Sequence, residues 1–265
     1  MTAAGTTSTS FDLAIDGRTV PARPGETLLA AARRAGIEVP TLCFLDGLRG
    51  YGACRLCAVE VSPGGSKVPA NGGGKIVASC AHPAAPGLDV RTRSDRLDRI
   101  RRGILDLLLA RCPASGEVKE MADRFGVRGT SFPPDLDRDR CILCGTCVRV
   151  CEAVGPRAIS AAGRGPGRLI ATPFGEPSPD CIGCLSCAKA CPTKNIAATD
   201  DGLRRTIWGR SFERVPCPGC GKPGATAEQI AYYVKTYGWE EETLVLCDAC
   251  KRAKTTRTFF GLMRM

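Results

Sequence analysis

At 265 residues and 43% hydrophobic content the chain is long enough for two or more domains, yet its most apolar stretch, Ile104 to Ala110, is broken by Asp106 and far too short to cross a bilayer. Seventeen cysteines, nearly all in four groups, point to several small modules held by inorganic sites, not to one large core. The formal charge of +10 is weak evidence for a nucleic-acid partner, because four cysteine-ligated sites of about −2 each would remove roughly 8 units.

No basic start followed by an apolar run marks a secretory leader, and Met1 to Ser10 reads as a small, Thr-rich, disordered tail (residues 1–10). A reducing cytoplasmic setting is therefore expected, where CxxC groupings mean metal and not disulfides. Phe11 to Ile15 and Arg18 to Ala22 alternate apolar and polar residues around Asp16-Gly17, the pattern of a hairpin. Pro24-Gly25-Glu26 opens a helix with Leu28, Leu29, Ala32 and Ala35 facing inward, and Gly36 ends it. Cys43, Cys54, Cys57 and Cys80 come next, spaced x10, x2 and x22, with Gly47, Gly50 and Gly52 around the first three. Those glycines let backbone amides approach sulfur closely. Ala58 to Val61, Ile76 to Ser79 and Leu88 to Thr92 are further short strands. The CxxC pair needs two more ligands, with buried structural thiols as the alternative for Cys43 and Cys80. His82, the only histidine, reads as a surface or hydrogen-bonding residue.

Ser94 caps a helix with Leu97, Ile100, Ile104, Leu107 and Leu108 at helical spacing, and Glu117 to Phe125 is a second helix. Cys112 stands alone between them, a buried spare thiol. The Pro- and Asp-rich stretch Phe132 to Asp139 leads into two matching runs: Cys141, Cys144, Cys147, Cys151 and Cys181, Cys184, Cys187, Cys191, the second followed by Pro192. Each has the C-x2-C-x2-C-x3-C spacing of a bacterial [4Fe–4S] ligand set, whose fourth cysteine serves the other cluster. Cys141, Cys144, Cys147 and Cys191 would hold one cubane, and Cys181, Cys184, Cys187 and Cys151 the other. Two zinc sites or disulfides are the alternative reading of these eight residues. Glu152 stands where proline is usual, 29 residues separate Cys151 from Cys181, and Gly163 to Gly167 is a loop within that insertion.

Beyond about residue 200, Cys217-Pro218-Gly219-Cys220-Gly221 and Cys247-Asp248-Ala249-Cys250 form a CxxC…CxxC set with 26 residues between the pairs. C-P-x-C-G resembles a zinc-ribbon or rubredoxin knuckle. Four thiolates suit structural zinc, with mononuclear iron or another Fe–S cluster as alternatives. Ala227 to Tyr237 is expected to be helical, with Ile230, Tyr233, Val234 and Tyr237 packed as a core stripe, and Lys251 to Arg257 is a basic run. Arginines elsewhere read as a solvated or docking face.

Strand, strand, helix, cysteine loop, strand, strand resembles a β-grasp [2Fe–2S] ferredoxin. The x10, x2, x22 spacing is similar to the N-terminal domain of the large Fe–S subunit of NADH:quinone oxidoreductase. The same domain type occurs in the small diaphorase subunit of NAD-linked hydrogenases, in [FeFe]-hydrogenases and in NAD-dependent formate dehydrogenases. The resemblance covers Phe11 to about Asp200. It implies a [2Fe–2S] β-grasp domain over 11–93, a helical connector over 94–135 and a bacterial-type 2[4Fe–4S] ferredoxin domain over 136–200; outside it the paired knuckles mark a zinc-ribbon-like module over 201–265, and the whole is expected to be an α+β chain. The resemblance also implies that Cys43, Cys54, Cys57 and Cys80 hold one [2Fe–2S] cluster. Relatives often carry one histidine and three further cysteines in the connector for another cubane. Here only Cys112 is present, so that cluster is expected to be absent.

No Gly-rich dinucleotide fingerprint, P-loop or flavin site is present, and no catalytic residue stands out. The expected function is an electron-relay subunit, not itself catalytic, with one [2Fe–2S] cluster, two [4Fe–4S] clusters and one zinc or single iron. By resemblance its partners are a flavin- and NAD(P)-binding subunit and a hydrogenase, formate dehydrogenase or similar redox subunit, with no specific nucleic acid and no membrane span. The alternative is an Fe–S redox sensor whose zinc ribbon and basic tail bind nucleic acid. No helix-turn-helix precedes Lys251, Arg252, Lys254 and Arg257 to support it.

Overall fold

The computed structural model describes residues 10–62, 66–69, 73–134 and 140–262, with the side chains of 257–262 left aside. Nearly all of the expected tail, Met1 to Ser10, and most of Phe132 to Asp139 lie outside the described residues. The chain divides into two compact units, 1–146 and 147–265.

Unit 1 begins with β1 (Phe11–Ile15) and β2 (Arg18–Ala22), an antiparallel hairpin in which Leu13, Ile15, Val20 and Ala22 are buried. Asp16 and Gly17 both take positive φ at the turn, the primed geometry that matches strand twist. The Asp16 carboxylate accepts from Thr92 N at 2.7 Å and Thr92 Oγ1 at 2.5 Å, which ties the turn to a residue far along the chain. Helix α1 (Leu28–Arg34) starts at a Thr27 cap that accepts from Ala30 N, and it buries Leu28, Leu29, Ala31 and Ala32. Strands β3 (Ala58–Ser62), β4 (Lys75–Ala78) and β5 (Asp89–Arg91) complete a sheet ordered β2-β1-β5-β3-β4, with β1 and β5 parallel and the other pairs antiparallel.

Helices α2 (Asp95–Arg111) and α3 (Gly116–Arg124) come next, capped by the Ser94 and Ser115 hydroxyls. The buried face of α2 differs from the expected stripe. Leu97, Arg101, Leu105 and Leu109 are buried, whereas Leu107 is 54% exposed. Arg101 explains the offset. Its guanidinium donates to Leu56 O at 3.3 Å, Ala58 O at 2.9 Å and Thr92 O at 2.8 Å. An arginine that satisfies three buried carbonyls belongs inside, and a pattern search for apolar residues rotates the face away from it. Cys112 is buried, as expected.

Unit 2 takes in α4 (Thr146–Val154), which begins on the last residue of unit 1. After it come the hairpin of β6 (Ser160–Ala162) and β7 (Leu169–Ala171), its connection enclosing Gly163 to Gly167, and the short helix α5 (Ser186–Lys189). Strands β8 (Ala198–Asp201), β9 (Arg204–Ile207), β10 (Arg210–Pro216) and β11 (Pro223–Thr226) make an antiparallel sheet in sequential order. Helices α6 (Ala227–Tyr237), α7 (Glu241–Leu244) and α8 (Asp248–Leu262) end the chain. The α6 stripe is corrected: Ile230 is buried, but Val234 is 37% and Tyr237 46% exposed. Tyr232, Tyr233, Tyr237 and Trp239 instead pack on one another, their ring centroids 5.1 to 6.3 Å apart.

Replacing Arg101 by Met would remove its three hydrogen bonds to buried carbonyls. The expected loss is about 3 kcal/mol, read as a lowered thermal midpoint that Arg101→Lys restores only in part.

Candidate iron–sulfur and metal sites

The chain between α1 and β3 carries Cys43, Cys54 and Cys57, and the loop after β4 carries Cys80; all four are buried. Cys57 and Cys80 sulfurs lie 3.4 Å apart, and Cys54 N donates to Cys43 Sγ at 3.4 Å. Cys54 and Cys57 are both drawn down to about 6, Cys54 by its hydrogen bond with Cys43 and Cys57 by its hydrogen bond with Cys80. Cys43 and Cys80 are pushed up in turn. Four buried cysteines, two of their sulfurs 3.4 Å apart and a third accepting from an amide, suit a cationic iron pair. Gly50 is required by close approach: a Cβ there would stand 1.8 Å from Cys80 O. His82 Nδ1 lies 2.9 Å from Pro83 O.

The two C-x2-C-x2-C runs fold alike. Leu143 and Gly183, two residues after the leading cysteine, take positive φ, as do Gly145 and Leu185 just after the second. Alternation of this kind turns successive amides toward one point, the arrangement of an anion-binding nest. Leu143 N donates to Cys141 Sγ at 3.4 Å. Cys144 lies in one apolar cluster with Cys43, Cys54, Leu105 and Leu109, and Thr146 Oγ1 donates to Cys43 O at 3.2 Å. Unit 1 thus brings members of two different cysteine sets together.

In unit 2, Cys151, Cys181, Cys184 and Cys187 line one cavity with Ile182, Ile207 and Trp208. This grouping joins the fourth cysteine of the first run to three of the second. Ala158 N donates to Cys151 Sγ at 3.3 Å, and Trp208 Nε1 to Cys187 Sγ at 3.5 Å. Burial pushes the Cys151 and Cys181 thiols up, and Cys187 to about 11, so ionised sulfur there calls for a cationic partner. Asn195 N donates to Cys191 Sγ at 3.3 Å, and Cys147 is buried in the same apolar cluster as Cys187.

The last set is the tightest. The Cys217, Cys220, Cys247 and Cys250 sulfurs all lie within 4.8 Å of one another. Cys217 directly succeeds β10, and Gly221 N donates to Cys217 O at 2.8 Å, closing the knuckle turn. Cys247 precedes α8 and Cys250 sits in its first turn. The Cys247 amide donates to Cys217 Sγ at 3.3 Å and draws that thiol down to about 6, while Cys250, hydrogen-bonded to the Cys247 sulfur, is pushed up to about 12. Four convergent sulfurs fit a single tetrahedral cation.

Cysteine spacing alone locates every sulfur in these sites, but it gives no sign of Arg101 or Trp208. Neither sits at a motif spacing, and no local signal marks them.

Residues 8–95 match the 2Fe-2S iron-sulfur cluster binding domain family and residues 140–195 the 4Fe-4S dicluster domain family. The chain is 33% identical over 245 residues to NADPH-Fe(3+) oxidoreductase subunit alpha of Geobacter sulfurreducens, a match that covers 83% of this chain and 27% of that protein. It is 32% identical to NADP-reducing hydrogenase subunit HndD of Solidesulfovibrio fructosivorans, over 68% of this chain and 35% of the relative. The chain therefore spans about a quarter to a third of the length of these relatives. A crystal structure of NAD+-reducing [NiFe]-hydrogenase aligns with a TM-score of 0.54 and 34% identity, over 62% of this chain and 75% of that one.

Substituting Gly50 by Ala is expected to abolish the two-iron visible and EPR signals while cubane signals remain, because the new methyl collides with backbone and not with a movable side chain.

Proposed function

We propose, for a chain that belongs to the family of iron–sulfur subunits of NAD(P)-linked oxidoreductases and hydrogenases, that it relays electrons between protein partners and does not itself turn over a substrate. Cys43, Cys54, Cys57 and Cys80 hold a [2Fe–2S] cluster in a β-grasp domain over 11–93. Beyond the helical connector over 94–135, Cys141, Cys144, Cys147 and Cys191 hold one [4Fe–4S] cluster of the domain over 136–200. Cys181, Cys184, Cys187 and Cys151 hold the other. Cys217, Cys220, Cys247 and Cys250 hold structural zinc in a ribbon-like module over 201–265. When bound, such clusters supply one-electron transfer. The chain's residues bury several of the sulfurs, aim amides at some of them and keep Cys144 beside Cys43 and Cys54.

The observation that carries the reading is the meeting of Cys43, Cys54 and Cys144 in one apolar cluster. Ligands of two clusters share one dry patch of protein, which favours a short path between them. The proposed partners are a flavin subunit that exchanges hydride with NAD(P)(H) and a hydrogenase, formate dehydrogenase or related module, in the cytoplasm. No described helix is long and apolar enough to cross a membrane. The redox-sensor alternative finds no support among the relatives named above.

Anaerobically reconstituted protein is expected to contain about ten irons, and about fourteen would reveal a further cubane. About one zinc per chain should survive oxidants that bleach the Fe–S absorption. Alone, the chain should accept electrons from dithionite without oxidising NAD(P)H, hydrogen or formate. With a flavin partner, Cys144→Ser or Cys184→Ser should stop transfer to the distal enzyme while flavin-to-dye activity persists. Complete transfer that survives loss of both cubanes would overturn the relay.

A further inference from the structure

Residues 198–226 lie beyond the segment that matches the dicluster family, yet their side chains reach back to its second ligand loop. Three consecutive carbonyls of that loop each accept from this sheet. Arg210 Nη1 donates to Cys181 O at 2.7 Å, Thr226 Oγ1 to Ile182 O at 2.5 Å, and Arg205 Nη1 to Gly183 O at 2.9 Å. Arg210 also donates to Ser178 O at 3.2 Å and Pro179 O at 2.6 Å. Arg205 is itself locked by Asp200, with Nε to Oδ1 at 2.6 Å and Nη2 to Oδ2 at 3.1 Å. Phe212 fills the space over the loop: a Cβ on Gly183 would stand 2.8 Å from its ring.

The same sheet also touches sulfur. Trp208 sits at the β9–β10 turn, where it and Gly209 take positive φ, and its indole lines the cavity of the four thiols. An indole nitrogen can only donate, and Nε1 meets Cys187 Sγ at 3.5 Å.

We propose that this sheet clamps the Cys181–Cys184 loop and, through the Trp208 N–H and the Arg210 charge, raises the reduction potential at Cys151, Cys181, Cys184 and Cys187. The inference rests on the four-iron reading of those cysteines. Reduction adds one negative charge among the sulfurs. A donor N–H on a thiolate and a guanidinium at the loop carbonyls both favour that state over the oxidised one. Arg210 is 3.7 Å from Glu228 Oε1, so part of its charge is offset, and Trp208 carries the larger share. Trp208 and Arg210 are positioning residues: they act through the ligands.

The test is an EPR-monitored redox titration of the full-length, reconstituted holoprotein, with iron content measured alongside. Trp208→Phe keeps an aromatic ring and removes the N–H. It should lower the equilibrium constant for reducing this cubane by about tenfold, or 59 mV for one electron, with the other clusters' midpoints unchanged. Arg210→Gln should lower the same midpoint by a smaller amount and speed iron loss to a chelator, and Arg210→Lys should restore the midpoint more than the retention of iron. A purely structural sheet would slow or speed iron loss without moving the midpoint. Wild-type midpoints in both Trp208→Phe and Arg210→Gln would overturn the inference; should Trp208→Phe lose the cluster, Arg210→Gln decides. A protein whose iron content and EPR do not change on Cys184→Ser would overturn the four-iron reading itself.

Discussion

The constraint on which the rest depends is that sulfur occupies the core. In unit 2, Cys147 and Cys187 are buried with Ile159, Ile207 and Phe212, and Cys151 and Cys181 pack against them. Thiols in such surroundings are costly to ionise and offer little apolar surface. An inorganic centre linking several sulfurs would give a core of this composition its cohesion and make folding and metal binding one equilibrium. The short elements are a consequence. Helix α5 has four residues and β6 and β7 three each, lengths that would not persist on propensity alone.

Loops and strand ends near the cysteines present carbonyls to side chains, and arginine is the residue this chain uses for many of them. Arg101 takes three carbonyls in unit 1; Arg205 and Arg210 take those of the second ligand loop. Arg214 takes Gly224 O and Pro223 O beside the four-cysteine knuckle. Its five donors in a fixed fork suit this task better than lysine's point charge. The excess of basic residues therefore has an internal use. The expectation that the arginines form a solvated or docking face holds for many of them and fails for Arg101 and Arg205, both buried. Cations held near thiolate-rich centres also offset the negative charge that those centres accumulate.

The dicluster family match ends at residue 195, but the strands beyond it are not separable from the matched segment in space. Strands β8 to β11 supply Phe212 to the apolar cluster of Cys187 and place Arg205, Trp208, Arg210 and Thr226 on the ligand loop. The same β10 runs on into Cys217, so one strand joins the loop of a candidate cubane to the four-cysteine set. A module that looks appended in sequence is part of the shell of the dicluster motif.

Much was legible in the residues alone. Cysteine spacing marked sixteen candidate ligands, because the geometry of a metal centre restricts how far apart its ligands lie along the chain; in the structure Cys217, Cys220, Cys247 and Cys250 converge, and Cys151 lies with Cys181, Cys184 and Cys187. Alternation and caps located the β1–β2 hairpin and α2, since burial of one face leaves a period in the sequence. Tertiary structure alone decided the rest. It rotated α2 so that Arg101 lies inside, left the aromatic residues of α6 packing on one another near the surface, and brought Trp208 to Cys187 across 21 positions of sequence. Those outcomes depend on which buried carbonyl or sulfur needs a donor, and that need exists only once distant segments have met.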